Sequence, residues 1–110
     1  MPTLNEFKLL HMALAIEKGW GKNVATKIYY GMIELGEAGD AWKHRADREY
    51  LMEYGVLDLQ SHMIEELIDT IMYCVNAADL IDPEIDLDKA LMDKFRINQK
   101  RNRIYVDDHV

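Results

Sequence analysis

The chain reads as an all-α protein, a four-helix bundle-like protomer forming a single domain over residues 1–110. Three observations carry this. Apolar residues recur at helical spacing over most of the length. Only two prolines occur, Pro2 and Pro83, and both sit at element boundaries. No stretch sustains the apolar–polar alternation of a strand, and no Asn-Gly or Asp-Gly pair marks a hairpin.

The first helix is expected over residues 3–18, with Leu4, Phe7, Leu10 and Leu14 in register. Gly19, Trp20 and Gly21 end it, as glycines near a helix terminus do. The second helix runs from Asn23 to Arg45. A loop then carries Tyr50, Leu51, Tyr54 and Leu57, packed down or turned once as a helix. Ser61 is the expected N-cap of a third helix ending near Leu80, and Asp82-Pro83 is its stop signal. A fourth helix spans Asp86, an acidic cap, to Asn102, and the tail from Tyr105 to Val110 is loosely held. No repeat of solenoid length and no low-complexity tract appears.

Bulk composition narrows the function classes. A chain of 110 residues can bury a real but modest core. The formal charge of -7 argues against binding a nucleic acid polymer or an anionic membrane through bulk electrostatics. A phosphate ligand stays open, because bound divalent cations invert the local charge. Cys74 is the sole cysteine, which excludes an intramolecular disulfide and a cysteine zinc site. A reducing, cytoplasmic setting is the default for such a chain. There is no signal pattern, and Asn76, Asp79 and Asp82 interrupt the longest apolar runs well short of a membrane span.

Two acid ladders hold the chemistry. "ELGEAGDAW" sets Glu34 and Glu37 three residues apart beside glycines and alanine, and "EELIDTIMY" does the same with Glu66 and Asp69. Residues three apart differ by about 60° around a helix, so each pair points one way. Two such pairs on facing helices bring four carboxylates together, and they repel unless cations neutralise them. Hard oxygen ligands suit Mg²⁺ or Mn²⁺.

The helical wheel offers a plainer reading. Ile64, Leu67, Ile68, Ile71, Val75 and Ala78 form one apolar stripe, with Glu66 and Asp69 opposite and His62 and Tyr73 beside them. Ile28, Met32, Leu35, Gly39 and Trp42 form another, with Glu37 opposite. Amphipathic helices ordinarily have acidic outer faces. Against that, the acidic side of the second helix carries Tyr30, Ile33, Ala38 and Ala41 and lacks interleaved lysines, so something covers it. Gly36 and Gly39 each cost roughly 1 kcal/mol inside a helix, which points to close approach by a backbone or a ligand.

Glu34-x-x-Glu37, a gap of 28 residues, and Glu66-x-x-Asp69 resemble the all-α nucleoside triphosphate pyrophosphatase superfamily, the MazG-like proteins in particular. The resemblance spans roughly residues 20–103 and includes Lys94-x-x-x-Asn98-x-x-Arg101 near the end. It departs from many members at Ile33, where they carry a further Glu, and at His62, where they carry a basic residue. It implies a MazG-like protomer assembling as a homodimer or homotetramer. It also implies Mg²⁺, with Mn²⁺ as a substitute, held by Glu34, Glu37, Glu66 and Asp69. The implied reaction cleaves a nucleoside triphosphate, preferably a deoxyribonucleotide, between the α and β phosphates to a monophosphate and pyrophosphate. Either Glu37 or Glu34 would orient or deprotonate the attacking water. Lys94 and Arg101 would meet phosphate oxygens, Asn98 and Tyr73 sugar or base.

Other residues have more ordinary readings. Trp20 and Trp42 could stack on a base but suit core or interface better. His11, His44 and His62 could line a pocket, although lone histidines are more often structural or superficial. Cys74 reads as a buried inert thiol and the methionines as core filler. A di-iron carboxylate bundle is disfavoured, since no histidine follows a glutamate by three positions. The remaining rival is a non-catalytic helical interaction module that retains the acidic face.

Overall fold

The computed structural model describes residues 2–49, 52 and 56–101. Four long helices account for most of them: α1 (Leu4–Lys18), α2 (Val24–Lys43), α3 (Val56–Ile81) and α4 (Leu87–Lys100). No strand occurs among the described residues. None of the described helices is long and apolar enough to cross a membrane.

The caps explain most boundaries. Thr3 and Glu6 form a reciprocal capping box at the start of α1, and Gly19 ends it with φ 67°. A left-handed residue there costs glycine nothing. Asn23 and Asp86 accept from the backbone N–H groups of Thr26 and Lys89 and so start α2 and α4. Ser61 is no cap. The helix begins five residues earlier, at Val56, because the Leu59 side chain finds a buried site and the turn before Ser61 continues the same helical register. Tyr50, Leu51, Tyr54 and the tail from Tyr105 lie outside the described residues.

Packing is serial. The pairing of α2 with α3 dominates, α1 lies on α3, and α4 touches α1. Gly31 faces Tyr73, while Glu34 and Glu37 meet Glu66, so α2 and α3 run antiparallel. A Cβ on Gly31 would sit 3.4 Å from that of Tyr73, so this glycine, buried with Ala38 and Ala41, sets the close approach of the two helices. Among the described residues nothing lies within 4 Å of a Cβ added at Gly36 or Gly39, so the close neighbour expected there is not one of them.

The α1–α4 junction is held by polar interlocks. Asp88 accepts from the N–H groups of Leu4 and Asn5, and the Asn5 side chain answers by accepting from Leu87 N–H and donating to Asp86. The buried Lys8 ammonium donates to the carbonyls of Pro83 (3.1 Å) and Ile85 (2.8 Å), closing the α3–α4 turn.

The core follows the expected wheels only in part: Val75 of the expected α3 stripe is buried, but most of the larger stripe residues are not. Among the described residues the buried apolar ones are Ala38, Ala41, Leu59, Val75 and Ala77, and no large side chain is fully enclosed. Lys8, His11, Glu66, Asn76 and Asp79 are buried beside them. Ile64, Leu67, Ile68 and Ile71 on α3, and Ile28, Met32, Leu35 and Trp42 on α2, are instead exposed. Several methionines and Cys74 are exposed as well, so neither core filler nor buried thiol describes them within the protomer. The reason is steric: the small-residue side of α2 lets its backbone approach α3 closely, and that side carries the acids.

Candidate carboxylate site and adjoining aromatic cleft

Glu34 and Glu37 project from one side of α2, one turn apart, and Glu66 projects from the facing side of α3. One carboxylate oxygen from each lies within 4.8 Å of the others. Two charges at that separation repel by roughly 3 kcal/mol at an effective dielectric near 20. The arrangement therefore tolerates three negative charges poorly. Glu66 yields: a carboxyl hydrogen bond with Glu34, then burial, then its bond to Glu37 and the two neighbouring charges push it from 4.5 up to about 8. No donor among the described residues reaches its buried Oε2. Sharing a proton with Glu34 is the internal way to satisfy that atom. A divalent cation is the external way, and acceptor-only oxygens from facing helices are the donor set that would hold one. His62 Nε2 sits 3.4 Å from the other oxygen, Glu66 Oε1.

Asp69 stands one turn beyond Glu66, half-buried, outside the three-carboxylate cluster. It lines a neighbouring cleft of about 600 Å³. Tyr73 links the two features. Burial first, then the charges of Glu34 and Asp69 and the nearby Tyr30, raise its hydroxyl pKa. The cleft is walled by rings from several elements. His11 and Trp20 lie with centroids 5.7 Å apart, and Tyr30 and Tyr73 with centroids 5.8 Å apart. Lys27 stands at the same cleft with its ammonium 5.9 Å from the Trp20 ring centroid. The cleft thus combines mutually tilted rings with one carboxylate, Asp69, and one ammonium, Lys27.

The structure thus brings together Glu34, Glu37 and Glu66, with Asp69 and Tyr73 adjoining. It does not bring Lys94, Asn98 and Arg101 to them within one protomer. These three are exposed on or after α4, which packs on α1 alone among the described helices. Arg101 has already left the helix, with φ -74° and ψ 131°, so it does not share a helical face with Lys94 and Asn98. His44 pairs with Asp40 and Asp47. Trp42 is exposed, with the Arg45 guanidinium 3.8 Å from its ring centroid.

His11, expected to be structural or superficial, is buried and lines the cleft, and Lys27 and Asn76, which the sequence did not single out, line it too. A signal for Asn76 existed. Glu66, Asp69, Tyr73 and Asn76 fall at i, i+3, i+7 and i+10, a polar line along one side of an otherwise apolar helix.

Comparisons with protein-family models, with curated proteins and with solved structures found no match for the chain.

Proposed function

We propose that the protein is a Mg²⁺-dependent nucleoside triphosphate pyrophosphohydrolase, cleaving between the α and β phosphates to a nucleoside monophosphate and pyrophosphate. The observation that carries this is the buried, donor-less Glu66 Oε2 within a three-carboxylate cluster that adjoins an aromatic cleft. A triphosphate needs both features: a counter-charge for its phosphates and a flat, apolar slot for its base. The resemblance of the two acid pairs to MazG-like pyrophosphatases points the same way.

Glu34, Glu37, Glu66 and Asp69 would hold the cation, with Mn²⁺ as a substitute. When bound it supplies charge neutralisation on the phosphates and lowers the pKa of water. Glu37, the most exposed of the three clustered acids, and Glu34 are the candidates to orient or deprotonate the attacking water. Tyr73 spans cluster and cleft and is placed to meet sugar or base. The rings of His11 and Trp20 would receive the base. Lys27 lines the same cleft beside Trp20 and would add positive charge there for an anionic ligand.

The same reading assigns the exposed apolar face to a second copy of the chain. Ile28, Met32 and Leu35 on α2 and Ile64, Leu67, Ile68 and Ile71 on α3 are each 45–66% exposed. Ile28, Met32 and Leu35 border one shallow apolar hollow with Cys74 and Ala77 of α3. Monomeric proteins rarely leave such a patch uncovered. A homodimer or homotetramer would cover it, and would also offer a route for Lys94, Asn98 and Arg101 to reach a neighbour's phosphates. The exposed face favours one other reading, a non-catalytic helical interaction module.

The test is pyrophosphate release from a panel of canonical and modified nucleoside triphosphates with Mg²⁺, comparing wild type with Glu37→Gln. Release that the variant loses supports the assignment. No release from any nucleotide with Mg²⁺ or Mn²⁺ sinks it and leaves the interaction module. Thermal shift separates the two readings independently, because only the enzyme should be stabilised by Mg²⁺ plus nucleotide.

A further inference from the structure

A second cavity, of about 380 Å³, lies between the C-terminal halves of α1 and α3. It shares Trp20, Gly21 and Asn76 with the aromatic cleft, and none of the four paired acids lines it. Its walls are mostly apolar: Met12, Ala15 and Ile16 from α1, Leu80 from α3, and Pro83. One acid lines it, Asp79, which is only 7% exposed. Among the described residues no group donates to the Asp79 carboxylate and no cation forms an ion pair with it. Unlike Asn76 Oδ1, its oxygens are not sealed from solvent, so the exposure they keep opens on the cavity that Asp79 lines. The nearby polar groups are engaged elsewhere. The buried Lys8 ammonium donates to the carbonyls of Pro83 and Ile85, and Asn76 Nδ2 is within hydrogen-bond distance of His11 Nδ1. His11 feels the Asp79 charge, but burial and then Lys27 favour its neutral ring. Buried carboxylates are rarely left without a partner.

We infer that this cavity is a binding site for a small organic amine, whose ammonium pairs with Asp79 while its apolar body lies along Met12, Ile16 and Leu80. Charge decides the class of ligand. An anion would be repelled by Asp79, and a neutral molecule would leave the carboxylate unpaired in apolar surroundings. A divalent metal ion needs several oxygen ligands, and the cavity offers one carboxylate. An ammonium on a hydrocarbon stem meets both demands, because the charge gains a partner and the stem gains apolar contact. Trp20 adds an aromatic wall, which attracts cations rather than anions. The volume lies within the range of small-molecule pockets, about 300–1,000 Å³. Lys22 is the internal rival: it is exposed at the same cavity and carries its own ammonium on a flexible stem.

The experiment is a fluorescence titration of the full chain carrying Trp42→Phe, which leaves Trp20 as the sole tryptophan. The probes share one shape and differ in charge near neutral pH: phenethylamine is a cation, 2-phenylethanol is neutral and phenylacetate is an anion. Phenethylamine should shift Trp20 emission saturably and bind at least about tenfold more tightly than 2-phenylethanol, and phenylacetate should not bind. Asp79→Asn keeps the side-chain shape and should bring the amine-to-alcohol ratio towards one. Asp69→Asn, which removes the acid of the aromatic cleft, should leave the ratio unchanged. Should Asp79→Asn not fold, the ratios of the parent chain and of Asp69→Asn decide together. Equal affinity for amine and alcohol, or a preference that survives Asp79→Asn, overturns the inference. A preference lost in Asp69→Asn places the amine in the aromatic cleft and overturns it too. Amine binding that appears only in Lys22→Met makes Lys22 the partner of Asp79 and overturns the site as a property of this chain. None of these outcomes bears on pyrophosphate release, which tests the pyrophosphohydrolase reading separately.

Discussion

Replacing Glu66 by glutamine should make the cation-free protein more stable at pH 8 and unable to respond to Mg²⁺. The sign follows from linkage. Glu66 has a raised pKa in the fold, about 8 against 4.5 unfolded. The native state therefore holds a proton that the unfolded chain gives up, and stability falls as pH rises from about 4.5 to about 8. A pKa rise of that size caps the loss near ~5 kcal/mol. Water at the open side of the site, where Glu37 is exposed, screens the charges and brings the expected loss to about 2–3 kcal/mol. His11 pulls the other way in part of this window, because its lowered pKa makes stability rise as the unfolded histidines lose their protons. The difference between wild type and Glu66→Gln isolates the carboxyl, since His11 titrates in both. The assay is urea unfolding in EDTA at pH 5, 6, 7 and 8. The variant should gain about 2–3 kcal/mol on wild type between the first and last. Millimolar Mg²⁺ at pH 8 should restore wild type, by about 2.7 kcal/mol at a hundred times its dissociation constant, and leave the variant unmoved. A wild-type-minus-variant difference that is flat across pH would refute the crowding of the three carboxylates. Equal stabilisation of both proteins by Mg²⁺ would refute the cation site.

Lys8→Met should cost about 1.5–3 kcal/mol in urea unfolding, because it strips the Pro83 and Ile85 carbonyls of a charged donor. Pyrophosphate release per folded molecule should not change, since Lys8 lies away from the carboxylates. Gly36→Ala and Gly39→Ala should each stabilise by up to about 1 kcal/mol, because nothing lies within 4 Å of the added Cβ. Gly31→Leu should destabilise by about 1–3 kcal/mol through collision with Tyr73. If the two alanine variants instead destabilise, a partner backbone occupies that side of α2. Ile68→Glu, on the exposed face of α3, should reduce the mass in light scattering to that of one protomer with the helical circular dichroism retained. A wild type already monomeric at micromolar concentration would count against assembly through this face.

Much of the local structure was legible without coordinates. Gly19, Asn23, Asp86 and the Asp82-Pro83 stop mark helix ends by backbone chemistry that needs no partner element. Ser61 misled because a serine can begin a helix or ride along its surface, and the choice lay with Leu59, whose buried site is tertiary. The acid pairs were legible as pairs because the three-residue spacing is a property of one helix. Their meeting was not, and neither was the one that stands outside the cluster: Asp69 lies beyond the contact of α3 with Glu34 and Glu37.

The sequence by itself determined four helices, most of their ends, and two lines of carboxylates each aligned on one side of its helix. The tertiary structure alone decided which side of each helix faces the other. Both sides of α2 and α3 can pack, one through isoleucines and leucines, the other through Gly31, Ala38, Ala41 and Ala77. A helical wheel ranks the sides by hydrophobicity and chooses the first. The protomer chose the second, because small residues let two backbones come close, and that closeness brings Glu34, Glu37 and Glu66 within 4.8 Å of one another. His11 and Asn76 show the same limit. They are 65 residues apart, and only the seating of α1 on α3 makes one the hydrogen-bond partner of the other.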